Sequence, residues 1–283
     1  MRQLNDLKSQ RDLASIMVEL TSAFEGIAST RISQIKDQVL RSGKFFDDLW
    51  RIYSQIRAGE SFNFGRNQSQ GNSINKELMI LITSEGSFSG DIDQRLIAQS
   101  LRHYDPTKND IIVIGYHGIT QLSQRQISAK MNFKLPASEQ NINVDPLVEQ
   151  VQKYASTIIF YQTYVSLMQQ DVKTIVLGTA ISARGANVKQ GLEVISEQNY
   201  IFEPSTQAVV EHLESAMTGI TLSEVILESK LAQHASRFQA MRAAHERADD
   251  SYDDLTWDYS RAKRQLKDER LREVLNGLRK ASQ

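Results

Sequence analysis

The chain of 283 residues contains no cysteine and only four prolines. The absence of cysteine excludes disulfides, thiol catalysis and cysteine-based zinc sites, and it fits a reducing compartment. No apolar run approaches the roughly 20 residues needed to cross a bilayer, and Met1–Gln10 is too polar for the core of a signal peptide. An excess of one charge is also lacking, since 33 Lys and Arg stand against 34 Asp and Glu, which argues against a nucleic-acid binder. We therefore expect a cytoplasmic protein that is not inserted in a membrane and reaches one only through other proteins.

Glycine and proline are both absent between Ile220 and Asn276. Nothing in this stretch interrupts a single helix, which would be about 85 Å long at 1.5 Å per residue. A rod of this length cannot bury an apolar face against a compact domain of about 30 Å, so a second long helix is its expected partner. The face itself is marked by residues at intervals that alternate between three and four, which places them on one coiled-coil seam: Phe238, Met241, His245, Ala248, Tyr252, Leu255, Tyr259, Ala262 and Leu266.

The partner helix is predicted within Met1–Ala58, which contains no proline. Its apolar residues repeat at helical spacing: Leu13, Ile16, Leu20, Phe24, Ile27, Ile32, Ile35 and Val39. Long helices at both ends predict an α/β domain inserted between two terminal helices that form an antiparallel coiled coil. The predicted boundaries are residues 1–60 for the first helix, 61–205 for a Rossmann-like α/β domain and 206–283 for the second helix. A helical bundle is the alternative, but a bundle has three or four comparable helices.

The central part alternates between strand and helix patterns. The apolar runs Glu77–Thr83 and Asp110–Gly115 are typical of buried strands, and the amphipathic segment Asp91–Tyr104 between them predicts a right-handed βαβ unit. A third strand is expected at Ser128–Leu135. Further along, the sequence predicts a helix at Val144–Ala155 and an antiparallel hairpin of Thr157–Leu167 and Lys173–Leu177, with its turn at Gln169–Asp171.

Several motifs resemble one known family. Residues 200–205 read Tyr-Ile-Phe-Glu-Pro-Ser, residues 227–241 read Leu-Glu-Ser-Lys-Leu-Ala-Gln-His-Ala-Ser-Arg-Phe-Gln-Ala-Met, and residues 20–28 read Leu-Thr-Ser-Ala-Phe-Glu-Gly-Ile-Ala. They resemble the gamma subunit of F-type ATP synthases, in which an aromatic-Glu-Pro signature precedes a helix with Glu-Ser, His-Ala-x-Arg and Ala-Met. The Glu-Val-Leu-Asn-Gly of residues 273–277 matches the end of that pattern, so the resemblance covers nearly the whole chain in order.

The resemblance implies a central rotary shaft without a catalytic site, cofactor or metal of its own. Its implied partners are the alpha and beta subunits of an ATPase hexamer, an epsilon-like subunit and a ring of membrane rotor subunits. It implies a peripheral location on the cytoplasmic side of the membrane, and a bacterial origin is the simpler expectation. The residues expected to contact the hexamer are Leu20, Phe24, Arg237, Lys263, Arg264, Lys267, Asp268 and Arg272.

The chain departs from the family pattern at several of these positions. Lys263-Arg264 and Lys267-Asp268 stand where the family has Arg-Gln and Ile-Thr, and Phe24 and Phe88 replace a methionine and a cysteine. A gamma-like shaft of a specialised ATPase is therefore one alternative. From Arg261 onward, eight basic residues stand against three acidic ones, and this excess is expected either to meet acidic loops of the hexamer or to be a solvated helix end stabilised by the helix dipole.

Two other readings remain open. A small-molecule-binding α/β enzyme with a coiled-coil arm predicts a pocket at the carboxyl ends of the strands near Gly86 and Gly115, although Gly86-x-x-x-Gly90 is neither a dinucleotide nor a phosphate-loop motif. The second reading is a coiled-coil scaffold protein with no rotary role. Four carboxylates one helical turn apart could hold a divalent cation, although a solvated face is the commoner outcome: Asp249, Asp250, Asp253 and Asp254.

Overall fold

The computed structural model describes residues 2–56, 74–86, 88–135, 142–186 and 201–281. Its backbone contacts divide the chain into two compact units. Met1–Ala28 and Phe238–Gln283 make up the first, here called the coiled-coil unit, and Ser29–Arg237 makes up the second, the α/β unit. In chain order the helices and strands are α1 (Arg2–Ile56), β1 (Ile74–Ile82), α2 (Ile92–Leu101), β2 (Asn109–Ile114), α3 (Tyr116–Gln124), β3 (Met131–Phe133), α4 (Asp145–Val151), β4 (Tyr154–Ser166), β5 (Gln169–Val176), α5 (Leu177–Ala186) and α6 (Thr206–Ala281).

The terminal helices α1 and α6 are 55 and 76 residues long. Within the coiled-coil unit they run antiparallel: Thr21 lies beside His245, whereas Arg11, earlier in α1, lies over Tyr259, later in α6. The predicted fold class, an α/β domain between two long terminal helices that form an antiparallel coiled coil, is confirmed. The predicted boundary between residues 60 and 61 lies outside the described residues, and the three-part division of the chain stays a prediction.

The described residues of the α/β unit contain a five-stranded sheet of order β3-β2-β1-β4-β5. Strand β1 is parallel to both β2 and β4, and β2 is parallel to β3. Strand β4 pairs antiparallel with β5, so the predicted hairpin is confirmed. The central strand β1 is covered on both faces because Leu78–Ile82 is an unbroken apolar run.

Alternate side chains of the strands face two separate apolar cores. On one face Leu78, Ile80 and Ile82 pack with residues of α1, α4, α5 and α6, among them Trp50 and Met217. On the other face, residues such as Met79 and Leu81 pack with α2 and α3 through Leu96, Ile97 and Leu122. The C-terminal part of α1 and the N-terminal part of α6 are therefore built into the α/β unit as part of one of its two covering layers.

Three details of the sequence interpretation were wrong. The turn of the hairpin lies at residues 167–168, and Gln169–Asp171, predicted as the turn, begins β5. Helices α3 and α5 were not predicted at all, since each contains glycine, a poor helix former. The structure shows why glycine is there: a Cβ at Gly118 would lie 2.6 Å from Thr83 Oγ1, and one at Gly185 would lie 1.8 Å from the ring of Trp50. Close packing outweighs helix propensity at both positions.

No helix in the described part of the chain is both long enough and apolar enough to cross a bilayer.

Candidate functional site

The predicted seam of α6 faces α1 in the coiled-coil unit. Met241 is buried, and the other eight predicted seam residues are half-buried, whereas most of the residues between them are exposed. The intervals of three and four hold along this whole stretch because a heptad repeat keeps one stripe of the helix turned toward its partner.

The matching face of α1 differs from the predicted one. Leu13, Ile16, Leu20 and Ile27 were expected on the seam, but they are 63%, 59%, 47% and 56% exposed. The prediction is wrong for these four residues. Phe24 is half-buried, Ile32 and Ile35 are buried but belong to the α/β unit, and Val39 lies outside the described side chains. The residues turned inward in the coiled-coil unit also alternate at three and four, and several are small or polar: Leu4, Leu7, Arg11, Ala14, Val18, Thr21, Glu25 and Ala28.

His245 occupies the middle of the seam. Its Nδ1 lies 3.2 Å from the carbonyl oxygen of Val18 and 3.3 Å from Thr21 Oγ1. The Thr21 hydroxyl already donates its hydrogen to the Met17 carbonyl at 2.7 Å. The two groups near Nδ1, the Val18 carbonyl and the Thr21 oxygen, can therefore only accept a hydrogen bond, which places the proton on Nδ1 of His245. The histidine therefore bonds the facing helix, in the way a polar residue fixes the register of a coiled coil.

Large apolar residues of α1 outside the seam form an exposed stripe, here called the α1 stripe. Four of its members lie within two turns on one side of the helix, and the fifth follows seven residues later on the same side: Leu13, Ile16, Met17, Leu20 and Ile27. Two of them, Leu13 and Met17, also line a groove of about 680 Å³ whose α6 side carries Ala244, Ala248 and Leu255 and whose rim carries Asp254 and Asp258. A contiguous exposed apolar surface of this kind marks an interaction site.

The last turns of α6 form a second exposed apolar surface. Leu271, Val274, Leu275 and Leu278 are each more than half exposed. Their spacing of three, one and three residues puts them on one side of the helix. Charged residues around them include Arg270, Arg272 and Arg279, all exposed. The end of α6 therefore presents apolar and basic groups together.

Of the eight residues expected to contact a hexamer, six are exposed and two are half-buried. Lys263, Arg264, Lys267, Asp268 and Arg272 are all exposed on the distal part of α6, and Leu20 is exposed on α1. Their role in partner contact stays a prediction. Phe24 is half-buried in the coiled-coil unit.

Arg237 differs from the other expected contacts because it lies within the α/β unit. It is half-buried, with Nη1 3.2 Å from His234 Nδ1. Burial lowers the pKa of its guanidinium, and the nearby carboxylate of Asp93 partly offsets that effect.

The carboxyl ends of β1 and β2, where an enzyme of this class would hold a ligand, are filled by a buried polar cluster. Asp93 has no exposed surface and accepts hydrogen bonds from Ser84 Oγ, from His117 Nδ1 at 2.8 Å and from Gln162 Nε2 at 2.6 Å. A catalytic triad requires the serine to donate to the histidine. Here Ser84 donates to the aspartate itself, so these three residues do not form that relay.

The other candidate for a ligand was the row of aspartates on α6. Asp249, Asp250, Asp253 and Asp254 are exposed. In the described ranges no group of three or more histidine, cysteine, aspartate or glutamate side chains is arranged to hold a metal ion. These carboxylates form a solvated acidic face beside the groove.

Comparison with known proteins connects this geometry to a family. A family model described as ATP synthase matches residues 3–279. The ATP synthase gamma chain of Staphylococcus aureus strain JH9 is 22% identical over 303 residues, which cover 98% of either chain. A chain of the Euglena gracilis mitochondrial ATP synthase in rotational state 3 has a TM-score of 0.64 at 12% identity, over 97% of this chain and 94% of that chain. A chain of the central stalk and c-ring structure of the Tetrahymena thermophila mitochondrial ATP synthase has a TM-score of 0.57 at 16% identity, over 80% of this chain and 99% of that chain. These likenesses extend over both long helices and the sheet between them, and the chain belongs to the ATP synthase gamma family.

Proposed function

We propose that this chain is the central rotary shaft of an F-type ATP synthase or ATPase, and that it has no catalytic site of its own. The alpha and beta subunits of a hexamer surround its coiled-coil unit. An epsilon-like subunit and a ring of membrane rotor subunits bind the α/β unit. The shaft couples rotation to the catalytic cycle of the hexamer and to ion movement in the membrane. It is a peripheral subunit on the cytoplasmic side of a bacterial membrane, in keeping with the bacterial gamma chains that it matches.

One observation carries this proposal: α6 is a single helix of 76 residues that belongs to both compact units. Its backbone is not interrupted where it passes from one unit to the other. A continuous helix paired with a second one is stiff, since bending or twisting it disturbs the hydrogen bonds of every turn. A turning force applied to the α/β unit is therefore delivered to the coiled-coil unit.

The surface of the coiled-coil unit is not the same on all sides, as a shaft that drives three catalytic subunits requires. The α1 stripe is apolar, the face at Asp249–Asp254 is acidic, and the distal end of α6 is basic. Each catalytic subunit meets a different side at any moment. A ligand or partner shifts a conformational equilibrium only by binding its states differently, so rotation of this uneven surface changes the open and closed populations at each site in turn.

The basic end of α6 supplies contacts of opposite charge to acidic loops of the hexamer. Lys263, Arg264, Lys267 and Arg272 are exposed, so each contact is worth about 0.2 to 1 kcal/mol. Such contacts affect the choice of partner and the rate of association more than the affinity. The apolar residues near them, from Leu271 to Leu278, supply the area that is removed from water.

A rotation experiment tests the proposal. Because the chain has no cysteine, a single one can be introduced for labelling, and Lys108→Cys on the α/β unit is suitable since its side chain is 79% exposed. The labelled chain is co-expressed with the alpha and beta subunits of its own organism, and a bead is attached. We expect one copy of the chain for each three catalytic subunits and unidirectional rotation that depends on ATP. A hexamer that hydrolyses ATP while the bead stays still would refute the shaft.

The departures at the distal end of α6 support a second, narrower candidate. Lys263-Arg264 and Lys267-Asp268 stand in place of the Arg-Gln and Ile-Thr of the family, at the positions expected to touch the catalytic subunits. A shaft of this kind belongs to a specialised ATPase that does not synthesise ATP. Reconstitution of the native assembly in vesicles with an imposed ion gradient separates the two candidates, since only a synthase produces ATP under that gradient.

A further inference from the structure

The Asp93 cluster extends beyond the carboxyl ends of the strands to helix α6. Gln162, which donates to Asp93 at 2.6 Å, is itself fully buried. Its amide oxygen accepts a hydrogen bond from Ser229 Oγ and another from Gln233 Nε2 at 3.3 Å. A chain of hydrogen bonds therefore runs from α2, through β4, to α6.

Two further hydrogen bonds join the same segment of α6 to the rest of the α/β unit. Ser236 Oγ donates to the carbonyl oxygen of Ser89 at 2.6 Å, and Thr163 Oγ1 donates to the carboxylate of Glu228. Ser229, Gln233 and Ser236 are separated by four and three residues, so they share one face of the helix. All three are buried. We call the contact formed by residues 228–236 of α6 the polar joint.

The polar joint differs from the contact that α6 makes earlier in its course. There most of the buried side chains are apolar, as at Val210, Met217, Leu222 and Val225. Two hydrogen bonds join that part of α6 to other elements, from Tyr53 to Glu214 and from Arg184 to Glu224. Burial of polar groups costs free energy unless they are hydrogen-bonded, and well-packed apolar residues are often at least as stable as a buried ionic network. Stability alone therefore does not explain why the hydrogen bonds from α6 to other elements are concentrated in residues 228–236.

Hydrogen bonds depend on direction and apolar contacts do not, and this difference offers a physical reason for the polar joint. Apolar contacts are non-directional and depend mainly on buried area, so they resist separation of a helix from a sheet more than they resist its turning or sliding. A hydrogen bond weakens steeply as its angle departs from linear, so each one in the joint fixes the rotation of α6 about its own axis. The joint also ends at Arg237, where α6 leaves the α/β unit. Helix α1 also belongs to both units, so α6 is one of the two helices through which a turning force passes between them.

We infer that the polar joint, formed by Asp93, Gln162, Ser229, Gln233 and Ser236, is the element that locks helix α6 against rotation relative to the sheet and so transmits torque. The inference rests on the proposed function as a rotary shaft. These are positioning residues, since they act through the orientation of α6 and touch no substrate.

A pair of matched double variants tests the lock in the full-length chain. S229A/S236A removes two buried hydroxyls of α6 that bond to other elements. T218V/T221V removes two buried hydroxyls of the same helix that, among the described residues, bond to the carbonyls of Glu214 and Met217 in α6 itself. We expect amide hydrogen exchange in residues 84–93 and 224–237 to become about tenfold faster in S229A/S236A, the effect of about one lost hydrogen bond, and to stay unchanged there in T218V/T221V. Equal exchange in the two variants would overturn the lock. If S229A/S236A shows no cooperative urea transition, the single variants S229A and S236A replace it.

The torque itself is measured in the reconstituted complex. The readout is the number of ions pumped for each ATP hydrolysed against an opposing ion gradient. We expect this ratio to fall about threefold or more in S229A/S236A, with unchanged ATPase rate and subunit content, and to stay at the wild-type value in T218V/T221V. A wild-type ratio in both variants would refute the transmission of torque by the joint. A wild-type complex that does not pump at all would refute the proposed function instead, and the exchange measurement would still decide whether the joint is a lock.

Discussion

His245 of α6 faces Thr21 of α1, with its Nδ1 3.3 Å from the threonine Oγ1 and 3.2 Å from the Val18 carbonyl oxygen. The contact is polar in a seam whose neighbouring buried positions, Ala14, Ala28 and Met241, are apolar. A polar pair at one seam position costs some stability but disfavours every other register, because a shift would bury its groups without partners.

The first prediction concerns the energy of this pair. In a double-mutant cycle of Thr21→Val and His245→Ala, we expect an interaction energy of about 0.5 to 1.5 kcal/mol in the free energy of unfolding, the usual worth of a buried hydrogen bond. Urea unfolding followed by circular dichroism measures it. A control cycle of Thr21→Val with Arg270→Ala, an exposed residue at the far end of α6, should give no coupling. Additive effects in both cycles would contradict a direct bond.

The second prediction tests which face of α1 is the seam. Leu13 and Ala14 are neighbours, but the leucine is 63% exposed and the alanine 9%. We expect Leu13→Gln to change the free energy of unfolding by no more than about 0.5 kcal/mol, since it alters the surface. Ala14→Gln should cost about 1 to 3 kcal/mol, because the longer side chain must be forced between the helices. If Leu13→Gln proved more destabilising than Ala14→Gln in urea unfolding, Leu13 would lie on the seam, as the sequence predicted.

This face also shows how far the sequence alone can be read. The seam of α6 follows from a strict heptad of mostly large residues, and the structure has the same residues turned inward. On α1 the largest apolar residues predict the wrong face, since the structure buries Ala14, Thr21 and Ala28. The spacing of seven between these small residues is the signal that could have found the seam. The small side chain of Thr21 leaves space for the ring of His245 on the facing helix.

The strands and their order along the chain were predictable for a related reason. Continuous apolar runs such as Glu77–Thr83 indicate a buried strand without any knowledge of the fold. The Asp93 cluster could not be found in this way. Ser84, His117 and Gln162 are ordinary polar residues far apart in the sequence, and only the topology of the sheet brings them to one buried carboxylate. Ser229 joins the cluster through Gln162.

The third prediction concerns stability in acid. Burial raises the pKa of Asp110, but hydrogen bonds from Lys130, Lys76 and Tyr154 outweigh that effect and lower it to about 2. The donors lie 2.9, 2.9 and 2.8 Å from the carboxylate oxygens. Since the folded-state pKa lies below the unfolded one, the unfolded chain binds more protons between the two values. The contribution of Asp110 is therefore fully present above about pH 4 and is lost as the pH falls toward 2.

The variant Asp110→Asn isolates this contribution. At pH 7 it should lower the free energy of unfolding by about 1 to 2 kcal/mol, after allowance for solvent screening, and the difference from wild type should vanish near pH 2. Urea titrations at half-unit pH steps measure the difference. The control Asp249→Asn, at an exposed aspartate of α6, should leave the wild-type acid profile in place. A difference that is constant from pH 7 to pH 2 would show that Asp110 contributes by packing and not by charge.

The fourth prediction concerns the basic end of α6. Lys263, Arg264 and Lys267 are exposed, so changing all three to alanine should leave the free energy of unfolding of the isolated chain within about 0.5 kcal/mol of wild type. In the proposed shaft the same change removes contacts with acidic loops of the hexamer. We expect the rate of association with the hexamer to fall by about tenfold at low salt and the difference to shrink at 0.5 M salt, where charges are screened beyond a few ångström. A matched triple variant of exposed basic residues in the α/β unit, Arg102, Lys108 and Lys173, serves as the control. If both triple variants associate at the wild-type rate, the basic end of α6 is a solvated helix terminus whose cations interact only with the helix dipole.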